Sequence, residues 1–342
     1  MLSATIDNLI SGLKPRQQEV LANRFGLKSG EKKTLASIGE KYDLTRERIR
    51  QIEEGALKTV QNNLLVEKKE AIEEILKSIS GHLGNFGGLR KEDLFLFEIK
   101  HFLKDEKLHH WHLKFLSEVA GSPIYYPTDH NFHAFWYLDA KHIQFADQFV
   151  LRFENLIADK KEEIVSGRFY DYFIEATKNS RLPHSIGLNY LSVSKKFGVN
   201  PFGDLGLSRW EEITPKTTRS KIYLILKKHS APLHFKDITG AINRAGFNRG
   251  KAIFQTVHNE LIKDPQFILV GRGIYGLKER GFIAGTAKNI ISRILKEKGP
   301  LSLQEIFDLV SKQRFLKENT IILNLQNKKY FKKLKDGRYH IK

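Results

Sequence analysis

Residues 34–60 read TLASIGEKYDLTRERIRQIEEGALKTV. Ile38, Tyr42, Leu44, Ile49 and Ile52 are the apolar positions of this stretch, and their spacing predicts two short helices that cross through a tight turn. Gly39 follows Ile38 at the point where a crossing helix leaves no room for a side chain, Asp43-Leu44 makes the turn, and Thr45 is a natural N-cap for the second helix. On that second helix Ile49, Ile52 and Ala56 share one face, which turns Arg46, Glu47, Arg50 and Gln51 outward on the first two turns. A helix presented this way enters the major groove of duplex DNA, where arginine pairs with guanine, glutamine with adenine, and a carboxylate accepts from the cytosine amino group. Thr45, Arg48 and Lys58 are better placed for phosphates. The alternative reading of the same residues is a solvated, charged helix face.

The preceding residues, LKPRQQEVLANRFGL at 13–27, complete a pattern. Together with TLASIGEKYDLTRERIRQIE it closely resembles region 4 of the primary bacterial sigma factors, over about residues 8 to 65, with Thr45 to Glu53 matching the recognition-helix motif without a gap. The resemblance implies reading of the minus-35 promoter element and docking on the β flap of the RNA polymerase core. Complete sigma factors carry upstream regions that hold the polymerase clamp and melt promoter DNA. Here the region 4 pattern stands at the start of the sequence, so this chain is expected not to open a promoter by itself.

The 342 residues are too many for one ordinary domain, and 41% apolar with 28% charged residues is a globular composition. With no cysteine, disulfides, thiolate zinc sites and cysteine nucleophiles are excluded. No stretch has the length of a membrane span, and MLSATIDNLISGL lacks the marks of a signal peptide, so a cytoplasmic, bacterial, nucleoid-associated protein is expected, with no membrane partner. The net charge of +18 is unevenly placed. Residues 1–80 carry 14 Lys/Arg against 12 Asp/Glu, residues 81–215 carry 16 against 18, and residues 216–342 carry 27 against 9. The last third therefore holds the whole excess, the footprint expected of a phosphate-neutralising surface, although a basic surface alone could also bind RNA, anionic lipid or an acidic partner protein.

That last third contains two similar units. From Ser220, SKIYLILKKHSAPLHFKDITGAINRAGFNRGKAIFQTVHNELIKDPQFILVGRGIYGL predicts three amphipathic helices and two short strands around Gly271-Arg-Gly273, a winged helix. Over residues 216–282 it resembles the HARE-type helix-turn-helix domain, also seen in the RNA polymerase delta subunit, a family that binds proteins and is proposed to bind DNA. Arg249, Lys251, His258 and Arg272 are its candidate phosphate contacts. An offset of 64 aligns Phe267 with Phe331, Gly273 with Gly337 and Tyr275 with Tyr339, while an offset of 68 aligns Pro232-Leu233 with Pro300-Leu301. Residues 286–342 therefore read as a second winged helix with a short deletion between helix and wing. Its wing carries Lys328, Lys329, Lys332, Lys333, Lys335 and Arg338, for phosphate contact or as a lysine-protected edge strand.

The middle is less readable. Helical stretches over 91–102 and 113–119 lead to YYPTDHNFHAFWYL, which reads as another wing, and a further helical set runs from Phe149 to Lys196. Seven of the 13 histidines lie between His101 and His142, but no HExxH or carboxylate–histidine spacing accompanies them, so surface or core roles are expected. Glu98-Ile-Lys100 after Asp93 resembles a nuclease E-x-K arrangement but sits in a helical pattern. Tyr125, Tyr126, Phe135, Trp136 and Tyr137 could stack unpaired bases, although alternating burial in a hairpin explains them more simply.

The expected fold is mainly α with short β-hairpin wings, a tandem array of helix-turn-helix and winged-helix modules. The modules are a region 4-like unit (1–80), two winged-helix-like units (81–147 and 148–215), the HARE-type unit (216–282) and a last winged helix (286–342). The expected function is that of a sequence-specific DNA-binding transcription factor related to sigma factors, with double-stranded DNA and the polymerase core as partners and no cofactor or small-molecule substrate. The alternative is a delta-subunit-like, polymerase-associated interaction protein with only non-specific nucleic-acid contact. No nucleophile–base arrangement or phosphate-cradling glycine loop argues for an enzyme.

Overall fold

A computed structural model describes residues 2–66, 69–247 and 250–342. The protein is mainly helical with short antiparallel hairpins, and its chain divides into two compact units.

The first unit runs to Gly198 and includes Leu205–Ser208. It opens with α1 (Leu2–Ser11), α2 (Pro15–Arg24), α3 (Leu35–Tyr42) and the long α4 (Arg46–Val66). Leu2, Ile6, Leu9 and Ile10 recur at helical spacing along α1 and are all buried. Pro15 occupies the first turn of α2, where its missing N–H costs nothing. Next come α5 (Lys69–Asn85), β1 (Leu89–Lys91), α6 (Glu92–Phe102), α7 (His110–Ala120), β2 (Ile124–Tyr126) and β3 (Phe135–Tyr137), with strand order β1-β3-β2. The elements run helix, strand, two helices and two strands, and Tyr137 pairs with Leu89 on one side and Ile124 on the other. One apolar core runs through both parts, from Leu2 and Ile6 through Val60 to Phe95, Phe115 and Trp136. The unit closes with α8 (Ala140–Ile157), α9 (Lys161–Glu163), a π turn over Ile164–Arg168, α10 (Phe169–Asn179), α11 (His184–Val193) and the hairpin strands β4 (Phe197–Val199) and β5 (Leu205–Leu207). Phe149, Phe153 and Ile157 line the buried face of α8, and the Phe153 ring packs between those of Phe169 and Phe197, each 5.5 Å away.

The second unit holds residues 199–204 and 209–342. It contains α12 (Thr218–Lys228), β6 (Leu233–His234), α13 (Phe235–Ala245), α14 (Phe254–Lys263), β7 (Phe267–Gly271) and β8 (Ile274–Leu277), with strand order β6-β8-β7. After a 3-10 turn at Lys278–Arg280 come α15 (Ala287–Lys298), α16 (Leu303–Ser311), α17 (Glu318–Leu325), β9 (Phe331–Lys333) and β10 (Tyr339–Ile341). Each series has its own core, one around Ile222, Ile238, Val257 and Tyr275, the other around Ile291, Ile306, Ile321 and Phe331. The internal repeat is visible in the register: Leu233 pairs with Tyr275, and Leu301 bridges Tyr339 in the same sense. Gly273 and Gly337 both turn their hairpins at positive φ, +72° and +87°.

Candidate nucleic-acid interface

The turn between α3 and α4 is sterically determined. A methyl group at Gly39 would lie 2.5 Å from the Leu44 carbonyl oxygen, so only glycine lets the chain double back there. Asp43 closes α3 in the left-handed region at φ +53°, and the Leu44 N–H returns to the Gly39 carbonyl at 3.0 Å. Thr34 caps α3 through a 3.1 Å bond from the Ser37 N–H, and Thr45 caps α4 through a 3.2 Å bond from the Arg48 N–H. Val20, Ile38 and Ile49 form the small core beneath the turn, flanked by Leu35, Tyr42, Leu44 and Ile52. Arg24 on α2 reaches Glu53 on α4 at 3.2 Å and fixes the long helix against the pair before it.

Burial of Ile49 and Ala56 leaves Arg46, Glu47, Arg48, Arg50, Gln51 and Lys58 exposed on α4. These cations are not all free. Arg50 donates to Glu47 at 2.6 and 2.9 Å and also to Glu54, and Arg48 donates to Gln51 at 3.1 Å. The hydrogen bonds from Arg50 hold the Glu47 carboxyl below its ordinary range, and Glu47 in turn raises the Arg50 guanidinium. Arg46 and Lys58 stand outside this ladder. Reading a base with Arg50 therefore means exchanging carboxylate contacts for base contacts on an exposed helix, where such pairs are weak.

The remaining candidate cations lie in the second unit. Arg249 lies outside the described residues. Lys251 is exposed before α14, and Arg272 is exposed at the β7–β8 turn. His258 differs from them: its half-buried ring stacks on Phe235 at 4.4 Å and meets Tyr275 edge-on, so it packs within the winged helix. Lys328, Lys329, Lys332, Lys333, Lys335 and Arg338 are all exposed around β9 and β10, with Arg338 held by Asp336 at 2.7 Å. Lys328, Lys332, Lys333 and the terminal Lys342 rim a hollow of about 660 Å³ whose floor includes Leu325, Phe331 and Tyr339. Lys342 was not among the expected contacts. Its place follows from the hairpin, since its N–H bonds to the Tyr330 carbonyl at 3.0 Å.

The middle segment places its polar residues in packing roles. His110 bonds to Glu92, and Glu98 is shared by His82 at 2.9 Å and Arg90 at 3.1 Å, on a helix as the sequence pattern indicated. Among the described residues no cluster of three His, Asp or Glu could hold a metal ion, and no helix is long and apolar enough to cross a membrane. Phe135 and Trp136 are buried in β3, and Tyr126 stacks on Phe135 at 4.7 Å, so these rings fill a hairpin.

Residues 9–62 match the family model "Sigma-70, region 4". Over 62 residues the chain is 44% identical to the RNA polymerase sigma factor SigA of Microcystis aeruginosa, 18% of this chain and 15% of the relative. It is 46% identical over 55 residues to the principal sigma factor HrdD of Streptomyces coelicolor, 16% of this chain and 17% of the relative. A 79-residue match at 37% identity to the sigma-C factor of Nostoc sp. covers 23% of this chain and 18% of the relative. The chain thus spans about 15% of the length of the SigA relative it matches. In residues 9–62, beneath the exposed first turns of α4, the chain carries a sigma-70 region 4 domain.

Proposed function

We propose that this protein is a sequence-specific DNA-binding transcription factor related to sigma factors. In this reading Arg46, Glu47, Arg50 and Gln51 read base edges in the major groove, Thr45, Arg48 and Lys58 contact phosphates, and region 4 docks on the polymerase core. The observation that carries it is the exposure of those four side chains on the first two turns of α4, within the segment that matches region 4. Residues 216–282, as a HARE-type winged helix, and residues 286–342, as a second one, grip the backbone with Lys251, Arg272 and the lysines around β9 and β10. The excess of 27 basic over 9 acidic residues in that third supports a salt-dependent, sequence-independent contribution. Modules 81–147 and 148–215 join the two ends.

Selection of bound sequences from a random duplex pool, with and without core polymerase, tests the reading. The expected result is a short enriched motif that weakens when Arg50 or Gln51 is replaced by alanine. Binding without enrichment, or enrichment unaffected by those substitutions, moves the assignment to a polymerase-associated interaction protein.

A further inference from the structure

The two series of elements in the second unit are joined by contacts around Arg314 and Phe315. Arg314, three residues beyond α16, is only 7% exposed, and its guanidinium donates to the carbonyls of Leu269 and Gly285 and, at 3.4 Å, to that of Ile283. The next residue, Phe315, donates its N–H to the Val270 carbonyl at 2.8 Å, so the chain after α16 occupies the open edge of β7. A methyl group at Gly271 would approach the Phe315 carbonyl oxygen to 3.0 Å. Ile268 and Val270 on β7 are buried as well, at 5% and 0% exposure, with Val270 at the β-bulge between Leu269 and Gly271. A buried arginine bonded to three carbonyls, a backbone hydrogen bond on the open edge of β7 and a glycine closed off by the Phe315 carbonyl join the two halves of this unit.

We propose that residues 216–342 bind duplex nucleic acid as one rigid body, with Arg314 as the positioning residue that holds the wing of Lys328–Arg338 in fixed relation to the wing of Arg272. The proposal rests on the phosphate-gripping reading above. A rigid pair engages two stretches of one duplex for the ordering cost of a single body, whereas two loosely tethered modules gain only their tether's effective concentration. Lys251 and the exposed lysines of the last hairpin then act together on one backbone.

The test uses the full chain with Arg314→Met, Arg314→Lys and, as an independent way to loosen the joint, Gly271→Val, whose side chain meets Phe315. Two quantities are measured: the rate of trypsin cleavage after Arg280, and affinity for duplexes of about one turn (~10 bp) and about two and a half turns (~25 bp). Arg314→Met and Gly271→Val are expected to be cut at least about tenfold faster, and to bind the long duplex about tenfold more weakly while binding the short one as the wild type does. Arg314→Lys, which still donates hydrogen bonds, restores part of both. Equal cleavage of wild type and variants overturns the joint, and faster cleavage with unchanged affinity for both lengths overturns its role in binding. A wild type that binds neither duplex overturns the phosphate-gripping reading and the binding half of this proposal, while the cleavage rates still decide whether the modules are locked.

Discussion

The ring of Phe25, just beyond α2, meets the ring of Phe115 on α7 edge-on, with centroids 5.2 Å apart and planes at 82°. This contact crosses from the helix-turn-helix to the winged helix that follows it, and it has company. The Ser3 backbone N–H and hydroxyl both bond to Asp105 at 2.8 Å, His109 meets the Leu27 carbonyl at 3.3 Å, and Gln61 donates to the Glu118 carbonyl at 3.2 Å. His112, Leu113, Phe115 and Leu116 of α7 are all buried, and Leu113, Phe115 and Leu116 belong to the core that continues into the region 4 segment.

Phe115→Ala is therefore expected to destabilise the helix-turn-helix and the winged helix together, by about 3–5 kcal/mol. Native-state hydrogen exchange checks this: protection should fall in α1 and α4 as well as in α6 and α7. Loss confined to α6 and α7 would show that region 4 keeps its own stability.

What the sequence revealed follows the range of the interactions involved. Gly39, Asp43 and Thr45 act on residues within about one helical turn, so the turn and the cap on α4 could be read from spacing. Leu233 with Tyr275 and Leu301 with Tyr339 are distant pairs: the offsets aligned these residues between the two halves, but their pairing within each half is seen only in the structure. β1 and β6 were missed because three and two residues cannot establish an alternation. The Phe25–Phe115 joint was hidden for another reason: apolar spacing reports that a face is buried, not what buries it. Arg50 is a miss of emphasis, since Glu47 and Glu54 stand at i−3 and i+4 in the sequence and that spacing predicts ion pairs on a helix. Arg314 carried no signal, because its partners are backbone carbonyls.

The same joint makes the first unit sensitive to acid. His112 is 3% exposed, with the His109 ring tilted against it at 3.9 Å and Asp105 nearby. Burial, and then the neighbouring His109, hold its imidazole down to about 4, against 6.5 for an ordinary histidine. Above pH 6.5 both folded and unfolded states are neutral and nothing changes. Between 6.5 and 4 the unfolded chain takes a proton that the folded one refuses, so stability falls as pH falls, by about 3 kcal/mol across the window. His109 is lowered as well, by burial, and acts in the same direction. Melting at pH 7 and pH 5 should show this loss in the wild type and a smaller one in His112→Gln. Equal losses would remove His112 as the cause.

Gly39→Ala places a methyl against the Leu44 carbonyl, which is backbone and cannot turn aside. The expected cost is about 1–3 kcal/mol, taken as a splaying of α3 from α4. Thr45→Ala, which removes only the cap on Arg48, should cost about 1 kcal/mol and leave the crossing intact. Chemical denaturation of both variants orders the two effects, and a Gly39→Ala protein as stable as wild type would mean that the turn can open.

Arg50 offers the sharpest test of base reading, because in the free protein it is engaged by Glu47 and Glu54. If it reads a guanine, binding exchanges those two carboxylates for the O6 and N7 acceptors, and removing a competitor should help. Glu54→Ala is therefore expected to raise affinity for the selected site a few-fold, since exposed pairs are weak and the gain is correspondingly small. Arg50→Ala should lower affinity for that site by about tenfold to a hundredfold and relax preference at one base pair, while leaving non-specific binding nearly unchanged. Glu47→Ala separates the two roles of its residue. As a mere partner of Arg50 its loss should resemble Glu54→Ala, whereas as a reader of cytosine its loss should relax a second position. These three variants, measured on the selected site and on single-base changes within it, give a pattern that a solvated ion-pair ladder cannot produce. Uniform changes across all sequences in all three would assign α4 to charge presentation alone.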